Sequence, residues 1–182
     1  MAGDFRLLDE QIIYDGAVIT VGVARFATPD GVEIDRDIVH HPGAVVVVPV
    51  DDDGHVTLVR QFRAAIAGPL LEIPAGKRDV ADEPTEITAA RELAEEVGLI
   101  AERLTLVGTF LNSPGFSDEF SYCYLATGLS STDREAHGEE EHHMTIEQVH
   151  LTDVPALIAS GELCDAKSII GLLLAREHLG IR

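Results

Sequence analysis

The sequence predicts an α/β or α+β protein in which a mixed sheet lies between helical layers. Three observations predict it. Gly43 to Val50 reads GAVVVVPV, a near-continuous β-branched run of the kind found in strands covered on both faces. A single amphipathic helix, entered at Pro84 and ending near Gly98, stands between strand-like runs. The tail adds two more helical patterns, so helices are interspersed with strands that outnumber them.

Taken in order, residues 10–26 and 32–39 read as strands around the turn Thr28-Pro29-Asp30-Gly31. Val32, Ile34 and Ile38 share parity, giving the second of these one apolar face. After the valine run, Asp51-Asp52-Asp53-Gly54 leads into HVTLVRQF, a hairpin signal because Asp-Gly suits a tight turn between two strands. The three aspartates lack the spacing and closing Glu of a calcium loop, so a turn is the expectation. Pro84 suits a first helical position, where its missing N–H has no partner to lose, and Gly98 accepts the positive φ of a helix stop. Residues 104–111 and 120–127 read as strands joined by a loop of turn formers, and 129–143 as a longer loop. Residues 144–151 form another strand. A short helix from Asp153 to about Ser160 follows, and then a longer one capped by Asp165. In the latter, Ile169, Ile170, Leu172, Leu173 and Leu174 spread apolar surface over most of the circumference, the mark of a buried or partnered helix.

At 182 residues and 46% hydrophobic composition the chain has enough material for one domain with a proper core. No apolar run reaches the length of a membrane span, and the N-terminus has no signal-peptide core, so neither membrane nor export is expected. Two cysteines, Cys123 and Cys164, make no disulfide framework and are expected reduced and buried in a cytoplasmic protein. Thirty-two acidic residues against 13 basic give a net charge of −19, which disfavours nucleic acid as a partner. A small anionic substrate would need a cation or well-placed arginines.

The helix supplies grounds for the cation. At about 100° per residue, Glu92, Glu95 and Glu96 share one face, and Ala90, Leu93, Ala94 and Val97 are expected on the other. Like charges at this spacing destabilise a bare helix by a few tenths of a kcal/mol per pair, roughly. A hard divalent ion, Mg²⁺ or Mn²⁺, would offset that repulsion with oxygen ligands; the blander alternative is a solvated acidic face. Glu92 and Glu96, one turn apart, make the best ligand pair, and Glu95 between them can bridge a second ion. Arg91 is expected to point away from all three.

The wider pattern decides between these readings. Gly76, Glu83 and the run Arg91-Glu92-Leu93-Ala94-Glu95-Glu96-Val97-Gly98-Leu99 resemble the signature of the Nudix hydrolases. The one departure is that six residues rather than five separate Gly76 from Glu83. The resemblance implies an α/β/α sandwich with a mixed sheet for residues 42–182, and a small antiparallel sheet in residues 1–41 through which a homodimer forms. It also implies that the carbonyl of Ala75 joins the metal ligands and that Arg91 braces the loop before the helix by pairing with Glu83.

Further stretches resemble one subgroup, the ADP-ribose pyrophosphatases of actinobacterial type. Val59-Arg60-Gln61-Phe62-Arg63 leading to Leu71-Glu72-Ile73-Pro74-Ala75-Gly76 is one such stretch, and Pro114, sixteen residues after Gly98, is another. This implies that Arg63 contacts a substrate phosphate, with Glu72, Pro114, Gly115 and Phe116 also on the substrate side. The catalytic base is then a Glu of the loop before the last strand, among Glu139, Glu140 and Glu141; counting back from Met144 favours Glu141, then Glu140. His137, His142 and His143 nearby lack the tight spacing of a transition-metal site. The implied activity is metal-dependent hydrolysis of the diphosphate of ADP-ribose to AMP and ribose 5-phosphate. The alternatives are another nucleoside diphosphate sugar, a dinucleoside polyphosphate, or a sensor that binds ADP-ribose without cleaving it. The intact set of three carboxylates favours catalysis over sensing.

Overall fold

Four consecutive valines decide where the layers go. In a computed structural model that describes residues 4–80, 82–135 and 142–181, Ala44–Pro49 forms a strand whose every residue is buried. Successive side chains of a strand face opposite ways. Val45 and Val47 therefore join a cluster with Ala89, Leu93 and Val97. Val46 and Val48 join another with Leu172 and Ala175. One strand thus serves two helical layers, as the unbroken apolar run requires.

In chain order the strands are β1 (Arg6–Asp15), β2 (Thr20–Ala27), β3 (Glu33–His40), β4 (Ala44–Pro49), β5 (His55–Arg63), β6 (Gly68–Glu72) and β7 (Ala75–Lys77). Helix α1 (Thr85–Val97) precedes β8 (Leu99–Leu111), β9 (Phe120–Ser131) and β10 (Thr145–His150), and the chain closes with α2 (Val154–Ser160) and α3 (Ala166–His178). They divide into two compact units. The first takes residues to Gly43 together with Leu111–Phe120, and the second Ala44–Phe110 with the chain from Ser121 onward.

In the second unit, four strands run in the order β7-β4-β9-β8, with β4 parallel to β9 and antiparallel to β7, so the sheet is mixed. A three-stranded sheet, β10-β5-β6, is antiparallel. Helix α1 packs on β4 from one side and α3 from the other, which gives the expected α/β/α layering. Helix α3 approaches closely because Gly171 has no side chain: a Cβ there would lie 2.8 Å from Ile73 Cδ1. Asp165 caps α3 by accepting from Ser168 N (2.8 Å), and the Ser168 hydroxyl accepts from Ile73 N (3.0 Å). The cap thereby also fixes the chain just before Pro74.

Two expectations fail here. Asp51–Gly54 is a turn, with Asp51 N donating to His55 O (2.9 Å), but it does not close a hairpin. Beyond one bridge, Val50 with Val56, the flanking strands pair with other partners in different sheets. Both strands are buried along most of their length, so tertiary packing rather than turn chemistry chooses their neighbours. Cys164 is exposed, while Cys123 is buried as expected; both are free. Burial pushes the Cys123 thiol up to about 12, which suits packing and not nucleophilic chemistry.

In the first unit, β1, β2 and β3 form an antiparallel sheet. The run from residue 10 to 26 is two strands and not one, because Gly16 N donates to Ile19 O and turns the chain. The turn after β2 forms as expected, with Gly31 at φ 89° and its N–H on Thr28 O. His40 fastens the end of β3 on both sides: its Nε2 meets Glu10 of β1 at 2.7 Å and its Nδ1 meets Asp118 at 2.6 Å. Val39 N donates to Phe116 O (2.7 Å) and His41 N to Asp118 Oδ1 (2.9 Å). These bonds explain why the loop 111–120 belongs to this unit.

Candidate functional site

The α1 carboxylates meet the turn around Pro74 at a cleft of about 360 Å³, lined by Gln61, Arg63, Ala75, Gly76, Lys77, Asp79, Arg91, Glu92, Glu95 and Glu96. The core explains the convergence. Ala89, Leu93 and Val97 anchor α1 against β4, and β7 pairs with the same strand. The two walls of the cleft are therefore held by one buried element. The apolar face is rotated from the expected one: Ala89 is fully buried, whereas Ala90 is exposed. That rotation carries Glu96, 5% exposed, to the edge of the core.

Each carboxylate has a distinct setting. Glu96 accepts from Ala75 N at 3.0 Å and so joins helix to turn. Glu92 lies over Gly76, where an added Cβ would come within 1.8 Å of its carboxyl carbon; the glycine is required by that side chain. Burial raises the pKa of Glu92, and Glu95 and Asp79 add to the effect against the opposing pull of Arg91. Arg91 does not point away from the three carboxylates, contrary to the simple helical projection. Its Nη1 lies 2.8 Å from Glu92 and 3.0 Å from Glu95, while Nη2 reaches Glu83 at 3.4 Å. A long, flexible side chain can bend back along its own helix, which a projection of Cβ directions does not capture. Glu83 is held below its usual range by the Thr88 hydroxyl at 2.7 Å, with Arg91 assisting.

Arg63 and Glu72 form the second polar group. Val59, Gln61 and Arg63 share one face of β5, and Glu72 stands opposite Val59 on β6. Arg63 reaches back along this face, its Nε donating to Glu72 Oε2 at 2.8 Å and its Nη2 to Oε1 at 3.2 Å. Burial would lower the Arg63 pKa, but Glu72 outweighs it and holds the guanidinium firmly charged. Glu72 itself is 2% exposed and lies behind Arg63, not on the cleft wall.

Ala75, Arg63, Glu92, Glu95 and Glu96 thus line one cleft, and Arg91 joins them there against the expectation that it points away. Pro114, Gly115 and Phe116 line a different hollow, of about 460 Å³, within the first unit, beside Phe26, Ile38 and Leu111. Glu139, Glu140 and Glu141, named for the catalytic base, lie outside the described residues. Sequence reasoning missed Gln61, Lys77 and Asp79 as cleft residues. Strand parity with Arg63 was the signal available for Gln61.

Among the described residues, no three His, Cys, Asp or Glu side chains form a ready-made metal cage. Glu96 is engaged by a backbone N–H, and Glu92 and Glu95 by Arg91. The donors are nevertheless all oxygens of a kind that suits a hard divalent cation. The raised pKa of Glu92 marks a buried carboxylate that a cation would stabilise.

Comparison with known proteins follows the same line. The family model of the NUDIX domain matches residues 39–169. An ADP-ribose pyrophosphatase of Bacillus subtilis is 39% identical over 163 residues, covering 90% of this chain and 88% of the relative. A second ADP-ribose pyrophosphatase, from Mycobacterium tuberculosis, is 37% identical over 170 residues, covering 93% and 82%. A crystal structure described as an ADP compounds hydrolase superposes with a TM-score of 0.87 at 23% identity, over 99% of this chain and 96% of that one. That likeness speaks to the fold.

Proposed function

The chain belongs to the Nudix hydrolase family, and from that premise we propose that it hydrolyses the diphosphate of ADP-ribose to AMP and ribose 5-phosphate. The observation that carries the reading is the convergence of three α1 carboxylates, the Ala75–Gly76 turn and the Glu72-locked Arg63 on one cleft. The substrate comes from the relatives, two of which are ADP-ribose pyrophosphatases aligned over most of both chains.

Glu92, Glu96, Glu95 and the Ala75 carbonyl would hold Mg²⁺ or Mn²⁺. When bound, such an ion neutralises phosphate oxygens, polarises phosphorus and lowers the pKa of a water. Arg63 holds a phosphate, and the fixed angle of its two bonds to Glu72 aims the rest of the guanidinium. Arg91 keeps Glu92 and Glu95 in place between turns of the helix. A water attacks phosphorus as the bridging P–O bond breaks, and its proton passes to a loop carboxylate, Glu141 or else Glu140.

Family likeness makes Pro114, Gly115 and Phe116 substrate contacts as well. The exposed apolar side chains of Leu7, Ile12, Ile13 and Tyr14 on the N-terminal strands would be covered in a homodimer, so residues 1–41 act as the dimerisation sheet of a cytoplasmic enzyme. The test is to incubate the protein with ADP-ribose, ADP-glucose and GDP-mannose, with and without Mg²⁺, and to resolve the products. AMP released fastest from ADP-ribose supports the reading, whereas cleavage of GDP-mannose alone would transfer it to another nucleoside diphosphate sugar.

A further inference from the structure

One buried polar group in the cleft has neither a protein partner among the described residues nor a role in holding metal or phosphate so far. Gln61 lies on β5 between Val59 and Arg63, opposite Leu70. It is 7% exposed and lines the cleft with Glu92 and Glu96. Its amide nitrogen is buried and, among the described residues, has no hydrogen-bond partner. Leaving such a donor unpaired is costly, and buried polar groups are paired in the great majority of cases. An apolar residue of the same length would fill the position without that cost, since Val59 on the same face already packs in the apolar cluster under α1.

Two carboxylates of the same strand pair and cleft are already engaged. Glu72 binds Arg63 with both oxygens, and Glu96 accepts from Ala75 N. The amide faces a cleft open to a ligand, and a ligand that pairs with it is an acceptor. Arg63 restricts its chemistry further. With Nε and Nη2 on Glu72, its Nη1 end remains for the cleft, two residues along the same face from Gln61. A cationic fork and a neutral N–H donor on one wall suit a single anionic group with several acceptor oxygens.

We propose that Gln61 is a substrate-binding residue whose amide N–H₂ donates to a non-bridging oxygen of the same phosphate that Arg63 holds. This rests on the reading of the cleft as a diphosphate site. The cost of the unpaired donor is borne in the free protein and relieved on binding, as is common where stability is sacrificed to function.

The test uses two readouts that a merely structural role would move in the same direction. Gln61→Met keeps the length of the side chain and removes the donor; Gln61→Glu keeps the shape and replaces the donor by a negative oxygen. The melting temperature is measured without ligand, and the dissociation constant for methylenediphosphonate with Mg²⁺ is measured by calorimetry. Gln61→Met should melt roughly 2–4 °C higher than the parent protein for each kcal/mol recovered. It should bind the diphosphonate about 10- to 100-fold more weakly, the worth of one hydrogen bond to a charged group. Gln61→Glu should bind more weakly still. Unchanged binding in both variants, or a melting temperature that falls together with binding, overturns the proposal. ADP-ribose hydrolysis by the parent protein runs alongside. If that activity is absent while diphosphonate binding still depends on Gln61, the substrate reading fails and this one stands.

Discussion

The cleft of the second unit and the hollow of the first differ in how their residues are specified. The cleft is polar and built on buried elements, with Glu92, Glu95 and Glu96 on a helix anchored to β4 and Arg63 locked by Glu72. The hollow takes Pro114, Gly115 and Phe116 from one loop, which β3 and His40 fasten to the N-terminal sheet. On the proposed reading, charged chemistry would be carried by side chains set on the buried core, where distances can be held. Apolar contact would be carried by a loop, where shape can vary without disturbing the charges. If this division holds, substitutions of the cleft carboxylates change the rate of the reaction, substitutions of the cleft donors change how tightly the phosphates are held, and substitutions in the hollow leave the rate alone.

The largest expected effect is at Glu92. Glu92→Gln keeps the side chain over Gly76 but removes its charge, and kcat should fall by about 100-fold or more, a loss of several kcal/mol. A kcat within a few-fold of the parent value would remove Glu92 from the machinery. Arg63→Lys comes next. It keeps the charge but loses the two-pronged bond to Glu72, so KM should rise about tenfold, with a smaller change in kcat. Phe116→Ala sharpens the contrast most directly. It should raise KM for ADP-ribose a few-fold, on the order of 1 kcal/mol, and leave kcat unchanged. A fall in kcat as large as that of Glu92→Gln would break the division between the two regions.

The smallest effect concerns the clip that fastens the loop. The side chain of Glu10, then that of Asp118, raises the pKa of His40 by hydrogen bonding to it. A group whose folded pKa is raised contributes stability that is fully present below its unfolded value, about 6.5, and is lost as pH rises through the folded value. The melting temperature of the parent protein relative to His40→Gln should therefore be highest near pH 6 and decline toward pH 9. A difference independent of pH would mean that the imidazole acts here as a neutral spacer.

What could be read in advance follows the same division. The three carboxylates were legible because helical spacing alone sets their common face, and the layering because four valines in a row demand cover on both sides. The pairing of β4 and β5 is not legible: an Asp-Gly turn constrains four residues, whereas the ladders depend on partners elsewhere in the chain, such as Ser121 and Glu72. The bend of Arg91 toward Glu92 and Glu95 depends on side-chain torsions that spacing does not encode. Gln61 escaped notice because a glutamine carries no charge, and only the structure shows that its donor is buried and unpaired. Pro114 to Phe116 are singled out by family likeness alone, as substrate contacts, and nothing in the residues themselves marks the hollow they line.

The central claim is that the α1 carboxylates make this cleft a metal-dependent hydrolytic site. Glu96→Gln tests it most directly, because the amide oxygen can still accept from Ala75 N and the fold should persist. Release of AMP from ADP-ribose would be followed with and without Mg²⁺ in the parent protein and the variant, with melting temperature as the control for folding. The account predicts Mg²⁺-dependent release in the parent and a loss of about 100-fold or more in the variant at a similar melting temperature. Equal rates in the two proteins, or release that does not depend on the metal, would contradict it.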